Sequence, residues 1–139
     1  MPDSEKRRTR PPAGKKPLNV YIDVDHTILL STANELHLRP GTREAVARLK
    51  AAGHRVYIWS ASGASHCHRV VELHGLGEWV DGCFDKDPAV EPPPDLIIDD
   101  DWYLVEKYGG FAVRPFRSLD PKDDELLRVL EELESLGHL

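Results

Sequence analysis

Two stretches of this 139-residue chain place carboxylates where a short apolar run stops. Asp23-Val24-Asp25-His26-Thr27 follows Leu18 to Ile22, and Asp99-Asp100-Asp101 follows Leu96 to Ile98. Between them lie Ser60, closing the run from Arg55, and Lys86, within Phe84-Asp85-Lys86-Asp87-Pro88. Acids, a hydroxyl and an ammonium together suit phosphoryl transfer, whose loose transition state spreads charge over the equatorial oxygens and is stabilised by positioning and neutralisation. A carboxylate can serve as the nucleophile, splitting one hard displacement into two easier ones. Because carboxylate and phosphate repel, a divalent cation must screen them, and magnesium (Mg2+) takes hard oxygen ligands of this kind. Each fragment alone has a plainer reading: D-x-D-x-T as a loop of turn formers, Ser60 as a strand-end cap, Lys86 as half of a surface ion pair. Their order along the chain is what joins them.

The elements that must position these residues alternate between strand and helix. Leu18 to Ile22 is short, apolar and β-rich, as suits a strand buried on both faces of a parallel sheet. A helix is predicted from Pro40, with Ala45, Val46, Leu49 and Ala52 at helical spacing and Gly53 as the stop. Arg55 to Ser60 reads as the second strand, Ala64 to His74 as a helix and Trp79 to Phe84 as a third strand. Asp95 to Ile98 is the fourth strand, Tyr103 to Tyr108 a short helix and Phe111 to Val113 a fifth strand. A closing helix is predicted over Leu119 to Leu136, with Pro121 at its start and Leu126, Leu127, Val129, Leu130 and Leu133 on its apolar side. The alternation implies βαβ crossovers and a doubly wound α/β domain with a mainly parallel, five-stranded, Rossmann-like sheet. In such sheets ligands bind beyond the carboxyl ends of the strands, where the polar residues fall.

Read in order, D-x-D-x-T, a serine closing an apolar strand, a lysine and an acidic pair, the chain resembles the four motifs of the haloacid dehalogenase (HAD) superfamily from Leu18 to about Val113. The resemblance implies a HAD-like phosphatase domain and a magnesium-dependent phosphomonoester hydrolase working through an aspartyl phosphate. It makes Asp23 the nucleophile and a metal ligand, and the backbone carbonyl of Asp25 a second ligand. The Asp25 side chain would protonate the leaving oxygen and then activate the hydrolytic water. Asp100 maps to the metal-binding carboxylate with Asp99 supporting it, and Asp101 stands one residue away as the alternative. Ser60, Lys86 and Thr27 would form the phosphate-binding set, Lys86 also steadying Asp23 and Thr27 bracing the turn after the nucleophile. Lys107, past the acidic pair, is a poor substitute for Lys86. Response-regulator receivers are rejected, because they carry an adjacent acidic pair on the first strand and the phosphorylated Asp on the third.

The resemblance also implies an open site. The chain has no insertion long enough for a cap domain. Ile28 to Arg39 suffices for a short flap, a hairpin pairing Ile28-Leu29-Leu30 with Leu36-His37-Leu38. Open sites in this superfamily resemble those of phosphatases acting on macromolecules, such as phosphoprotein or polynucleotide-end phosphatases, or of enzymes that borrow a lid from a partner, so the phosphorylated substrate is expected to be a small molecule, a protein or a nucleic-acid end. A nucleic-acid end-processing phosphatase and a non-catalytic phosphate-binding or scaffold module of the same fold are the alternatives. Leu38-Arg39-Pro40-Gly41 and Trp59-Ser60-Ala61-Ser62 are similar to segments of the small capless phosphoprotein phosphatases, although Arg-Pro-Gly before a helix has an ordinary turn explanation.

Other polar residues receive plain readings. His66-Cys67-His68 and His74 face different sides of one helix and lack a Cys-x-x-Cys partner, so a solvated helix face is expected rather than zinc. His26, inside the nucleophile loop, is read as tuning the leaving-group step, as contacting substrate or as a surface histidine, and Trp102, a candidate platform at the site rim, is expected instead to anchor its helix in the core. Net charge is −6, but Met1 to Pro17 carries six basic residues against two acidic ones, leaving 12 basic and 22 acidic in Leu18 to Leu139. The division predicts a basic disordered tail over 1–17 and an acidic folded body over 18–139, which the resemblance makes the HAD-like phosphatase domain, with no broad nucleic-acid-binding face. Nothing approaches a membrane span, and without a secretory h-region the expected location is cytoplasmic, with Cys67 and Cys83 reduced.

Overall fold

The computed structural model describes residues 8–9 and 17–139. The expected basic tail lies outside the described residues, except for the two-residue strand β1 (Arg8–Thr9). The remaining strands are β2 (Asn19–Asp23), β3 (Leu29–Ser31), β4 (Leu36–Leu38), β5 (Arg55–Ser60), β6 (Gly82–Asp85), β7 (Leu96–Asp99) and β8 (Gly110–Ala112). The helices are α1 (Thr42–Ala51), α2 (Ala64–His74), α3 (Trp102–Tyr108) and α4 (Glu125–Ser135). The main sheet runs β1-β8-β7-β2-β5-β6, parallel from β8 to β6, with β1 antiparallel on the β8 edge. The five-stranded parallel sheet expected from the sequence is present, and its strand order is compatible with a Rossmann-like fold. None of the described helices is long and apolar enough to cross a membrane.

The two-residue period of the strands divides the interior in two. Val20 and Ile22, Val56 and Ile58, and Leu96 and Ile98 point to one face, where they meet Val46 and Leu49 of α1, Cys67 and Val70 of α2, and Leu126, Val129 and Leu133 of α4. The alternate residues Tyr21, Trp59 and Ile97 point to the other face and meet Val105 of α3. That face is aromatic, with Tyr21 packed 5.0 Å from Tyr57 and 4.9 Å from Trp59 between ring centroids. Burying each large aliphatic chain contributes roughly 1.5–3 kcal/mol, so both faces favour this register, and a one-residue slip would exchange them. Gly110 is obligatory where β8 meets β7. A Cβ there would lie 2.0 Å from the Ile97 carbonyl oxygen, and its φ of +137° also excludes other residues.

Several boundaries and placements differ from the sequence expectation, among them the start of the first helix at Thr42 rather than Pro40 and the fifth strand at Gly110–Ala112 rather than Phe111 to Val113. The third strand starts at Gly82 rather than Trp79, because the backbone N–H groups of Trp79 and Val80 both turn back to the Leu76 carbonyl. The last helix starts at Glu125 rather than Leu119. Asp123 is drawn aside by Arg39, whose Nε donates to its two oxygens at 3.1 and 2.9 Å, and Asp123 in turn accepts from the Glu125 N–H. Trp102 is 43% exposed and does not anchor α3, a task that falls to Leu104, Val105 and Tyr108. The short flap forms one residue further along than anticipated, with Leu29–Ser31 rather than Ile28 to Leu30 on its first strand: Leu29 lies opposite Leu38, Leu30 opposite His37 and Ser31 opposite Leu36.

Candidate active site

Strand register alone brings the acidic ends together. Tyr21 pairs with Ile97 and Ile22 with Ile98, so Asp23 and Asp99 leave the sheet at one height on neighbouring strands. The chain moves from β2 to β5 on one side and reaches β7 only later on the other, so these two strand ends flank the point where strand order reverses. Ser60 ends β5 opposite Asp85 of β6, which puts Lys86 at the same edge.

After Asp23 the chain closes into a tight loop. The Val24 carbonyl accepts from the N–H groups of Thr27, Ile28 and Leu29 at 3.2, 3.0 and 3.0 Å. His26 adopts φ 65°, a left-handed conformation that costs a non-glycine residue about 1 kcal/mol or more and turns the chain back on itself. Thr27 is thereby buried beneath the carboxylates. Its hydroxyl donates to Asp23 Oδ2 at 2.8 Å and accepts from the Asp100 N–H at 3.0 Å, tying β2 to the end of β7. With that hydroxyl fully buried and engaged, Thr27 braces the carboxylates. Arg39 supports the loop from behind: its Nη1 donates to the Thr27 carbonyl at 3.1 Å, and its guanidinium lies 5.2 Å over the Phe116 ring.

One carboxylate oxygen from each of Asp23, Asp99 and Asp100 lies within 4.8 Å of the others, and this is the one such group among the described residues. Lys86 closes it, with Nζ 3.0 Å from Asp23 Oδ1 and 2.7 Å from Asp99 Oδ2. The flanking acids are occupied elsewhere. Asp85 accepts from the Ala64 N–H at the start of α2, and Asp87 accepts from the Ala89 N–H, so the surface ion-pair reading of Lys86 does not describe its contacts. Asp101 is likewise spent, accepting from the N–H groups of Tyr103 and Leu104 as the N-cap of α3. That leaves Asp100 to face the cluster. Asp99 is fully buried and accepts from the Asp101 N–H as well as pairing with Lys86.

Burial, followed by the charge of Asp99, raises the Asp23 carboxyl above the usual range against the opposing pull of Lys86. Burial raises Asp99 too, again opposed by Lys86. Burial alone would lower the Lys86 ammonium, but Asp23 and Asp99 outweigh it and the net shift is upward. One ammonium thus serves a group of three acids whose oxygens lie close enough together to hold a metal ion.

Asp25 stands beside this cluster with a separate set of donors. Its Oδ2 is 3.2 Å from Ser60 Oγ and 3.4 Å from Ser62 Oγ, and its Oδ1 is 3.0 Å from His66 Nε2. Ser60 thus touches Asp25 and accepts from the Ser62 N–H. Neither this sequence nor any part of it matches a protein-family model or a curated protein. The site must be read from its own geometry.

Sequence reasoning missed Ser62 and His66 at Asp25, and Arg39 behind the loop. His66 is not part of a solvated face: it lies in the first turn of α2, which rises from the same sheet edge as Ser60. His68 on the same helix is exposed, Cys67 is buried in the core, and both cysteines are free. The signal for His66 was its position shortly after Ser60, at the start of a helix that leaves the carboxyl end of a strand.

Proposed function

We propose that the protein is a magnesium-dependent phosphomonoester hydrolase that works through an aspartyl phosphate on Asp23, with the HAD-like fold and lack of a cap domain that its motifs suggest. The observation that carries this reading is the convergence of Asp23, Asp99 and Asp100 around Lys86 at the strand-order reversal, with Asp25 and its donors alongside. The donor set is all hard carboxylate oxygen, without sulfur or imidazole in the cluster, and that chemistry fits magnesium better than zinc. Asp23 and Asp100, with the Asp25 backbone carbonyl, would hold the ion, and Asp99 would support them by fixing Lys86. The bound cation would supply charge screening between the attacking carboxylate and the phosphate.

The chain's own groups account for the remaining chemistry. A carboxylate oxygen of Asp23 forms a bond to phosphorus as the bond to the leaving oxygen breaks, and Asp25 gives that oxygen a proton. Asp25 then takes a proton from water as the water attacks phosphorus and the Asp23–phosphorus bond breaks, returning Asp23 as a carboxylate. Lys86 neutralises phosphoryl charge throughout, and Ser60 turns from Asp25 to a phosphoryl oxygen. The flap of β3 and β4 is three residues per strand, too small to enclose a substrate, which favours an accessible phosphoryl group on a macromolecule.

The test is a metal-dependent screen of aryl phosphate, nucleotides, sugar phosphates, phosphopeptides and phosphorylated DNA ends. Magnesium-dependent release of phosphate from at least one class is expected. Strongest turnover of DNA ends, with steep salt dependence, would select the nucleic-acid reading. Binding without turnover of any class would select the scaffold reading.

Magnesium should also stabilise the fold in a pH-dependent way. Asp23 and Asp99 have raised carboxyl pKa values, so between the unfolded carboxyl range and those values the folded protein holds protons that the unfolded chain does not. Stability of the metal-free protein therefore falls as pH rises through that window. Ionised ligands are needed for the cation, so binding expels those protons. The melting-temperature increase caused by magnesium should be several degrees at about pH 8 and close to zero at about pH 5. A larger increase at the acid end would contradict the assignment.

A further inference from the structure

We infer that His66 is a positioning residue for Asp25, an inference that rests on the phosphatase reading above. Of the three side chains on the Asp25 carboxylate, His66 makes the shortest contact, 3.0 Å from Nε2 to Oδ1, and makes it alone on that oxygen. The two serines share Oδ2 at 3.2 and 3.4 Å. Since a carboxylate only accepts, Nε2 carries the hydrogen. His66 is also well fixed. Its neighbour Cys67 is buried in the core, and the start of α2 is held by Asp85, which accepts from the Ala64 N–H at 2.8 Å.

The two oxygens of Asp25 thus have different tasks. When Ser60 turns to a phosphoryl oxygen, Oδ2 keeps only the longer Ser62 contact and carries the proton that passes to the leaving oxygen. Oδ1 stays on His66, which keeps its own proton throughout and prevents the carboxyl group from swinging toward Lys86. The proton delivered as the phosphorus–oxygen bond breaks is replaced from the water that later attacks phosphorus. His66 therefore matters through the aim of Asp25, not through a contact with substrate.

General-acid assistance is worth most when the leaving oxygen is basic. The experiment compares kcat/KM for an aryl phosphate with an acidic phenol leaving group and for an alkyl phosphate with a basic alcohol, using wild type, Asp25→Asn, His66→Ala and His66→Gln. His66→Ala should lose about 10–100-fold on the alkyl phosphate and less than about 3-fold on the aryl one, a fraction of the 10²–10⁴-fold that general acids supply. His66→Gln, whose amide can donate to the same oxygen, should recover most of the loss. Should His66→Ala melt early, His66→Phe, of similar bulk without a donor, replaces it in the comparison. An equal loss on both substrates, or none, overturns the inference. If Asp25→Asn shows the leaving-group split and His66→Ala does not, only the role of His66 fails. A wild-type protein that turns over neither substrate with magnesium fails the phosphatase reading and takes this inference with it.

Discussion

Asp23→Asn is expected to lower magnesium-dependent turnover of an aryl phosphate by about 10⁴-fold or more, since losing a covalent nucleophile removes the whole first step. The same variant should melt at or above the wild-type temperature in the absence of metal. Asparagine keeps the shape of the side chain and can still meet Lys86 and the Thr27 hydroxyl, which touch Asp23 at 3.0 and 2.8 Å. It also removes a buried charge that repels Asp99, and burial together with that repulsion is what raises the Asp23 carboxyl. Magnesium should then stabilise the variant less than the wild type, because one ligand has lost its charge. Steady-state kinetics and thermal melts with and without magnesium read both halves. Wild-type turnover in Asp23→Asn would refute the nucleophile, and a large fall in melting temperature would assign Asp23 a structural task instead.

Lys86→Met has the second largest expected effect, and it falls on stability as well as activity. Methionine keeps most of the aliphatic stem but removes the ammonium, which lies 5.9 Å over the Trp59 ring and between Asp23 and Asp99. Two buried carboxylates then lack their shared cation, and breaking a buried pair in this way costs about 3–5 kcal/mol. The cost should grow as pH rises, since without Lys86 both carboxyl groups are harder still to ionise and the fold retains protons that the unfolded chain loses. Chemical denaturation at acid and neutral pH should therefore give a larger stability gap at neutral pH. Turnover should fall by roughly 10²–10³-fold from the loss of charge neutralisation. A variant as stable and as active as wild type would return Lys86 to the surface role that its flanking acids suggested.

The sheet was legible because its signals are local. Apolar runs bounded by Gly, Pro and acid located all five parallel strands, and the strand ends named Asp23, Ser60 and Asp99 without further help. The errors arose where a long-range contact overrode local preference. Pro121 looked like a helix start, but the pull of Arg39 on Asp123, 84 residues apart, delays α4 to Glu125. Asp99, Asp100 and Asp101 are equivalent in sequence, and only the fold separates them, by burying Asp99 at the end of β7 and taking Asp101 as the cap of the helix that follows. His66 was read from its own helix, where its neighbours are exposed or buried in turn. Its partner is 41 positions away on another strand end, a contact that the spacing of residues within α2 cannot reveal.

The most direct measurement is acid-quenched single turnover with a labelled phosphomonoester and magnesium, followed by mass spectrometry of the trapped protein. The account predicts an acid-stable, base-labile phosphoryl group on Asp23 that forms before inorganic phosphate appears and is absent from Asp23→Asn. Phosphate release with no protein-bound phosphoryl group, or a label on any other residue, would contradict it.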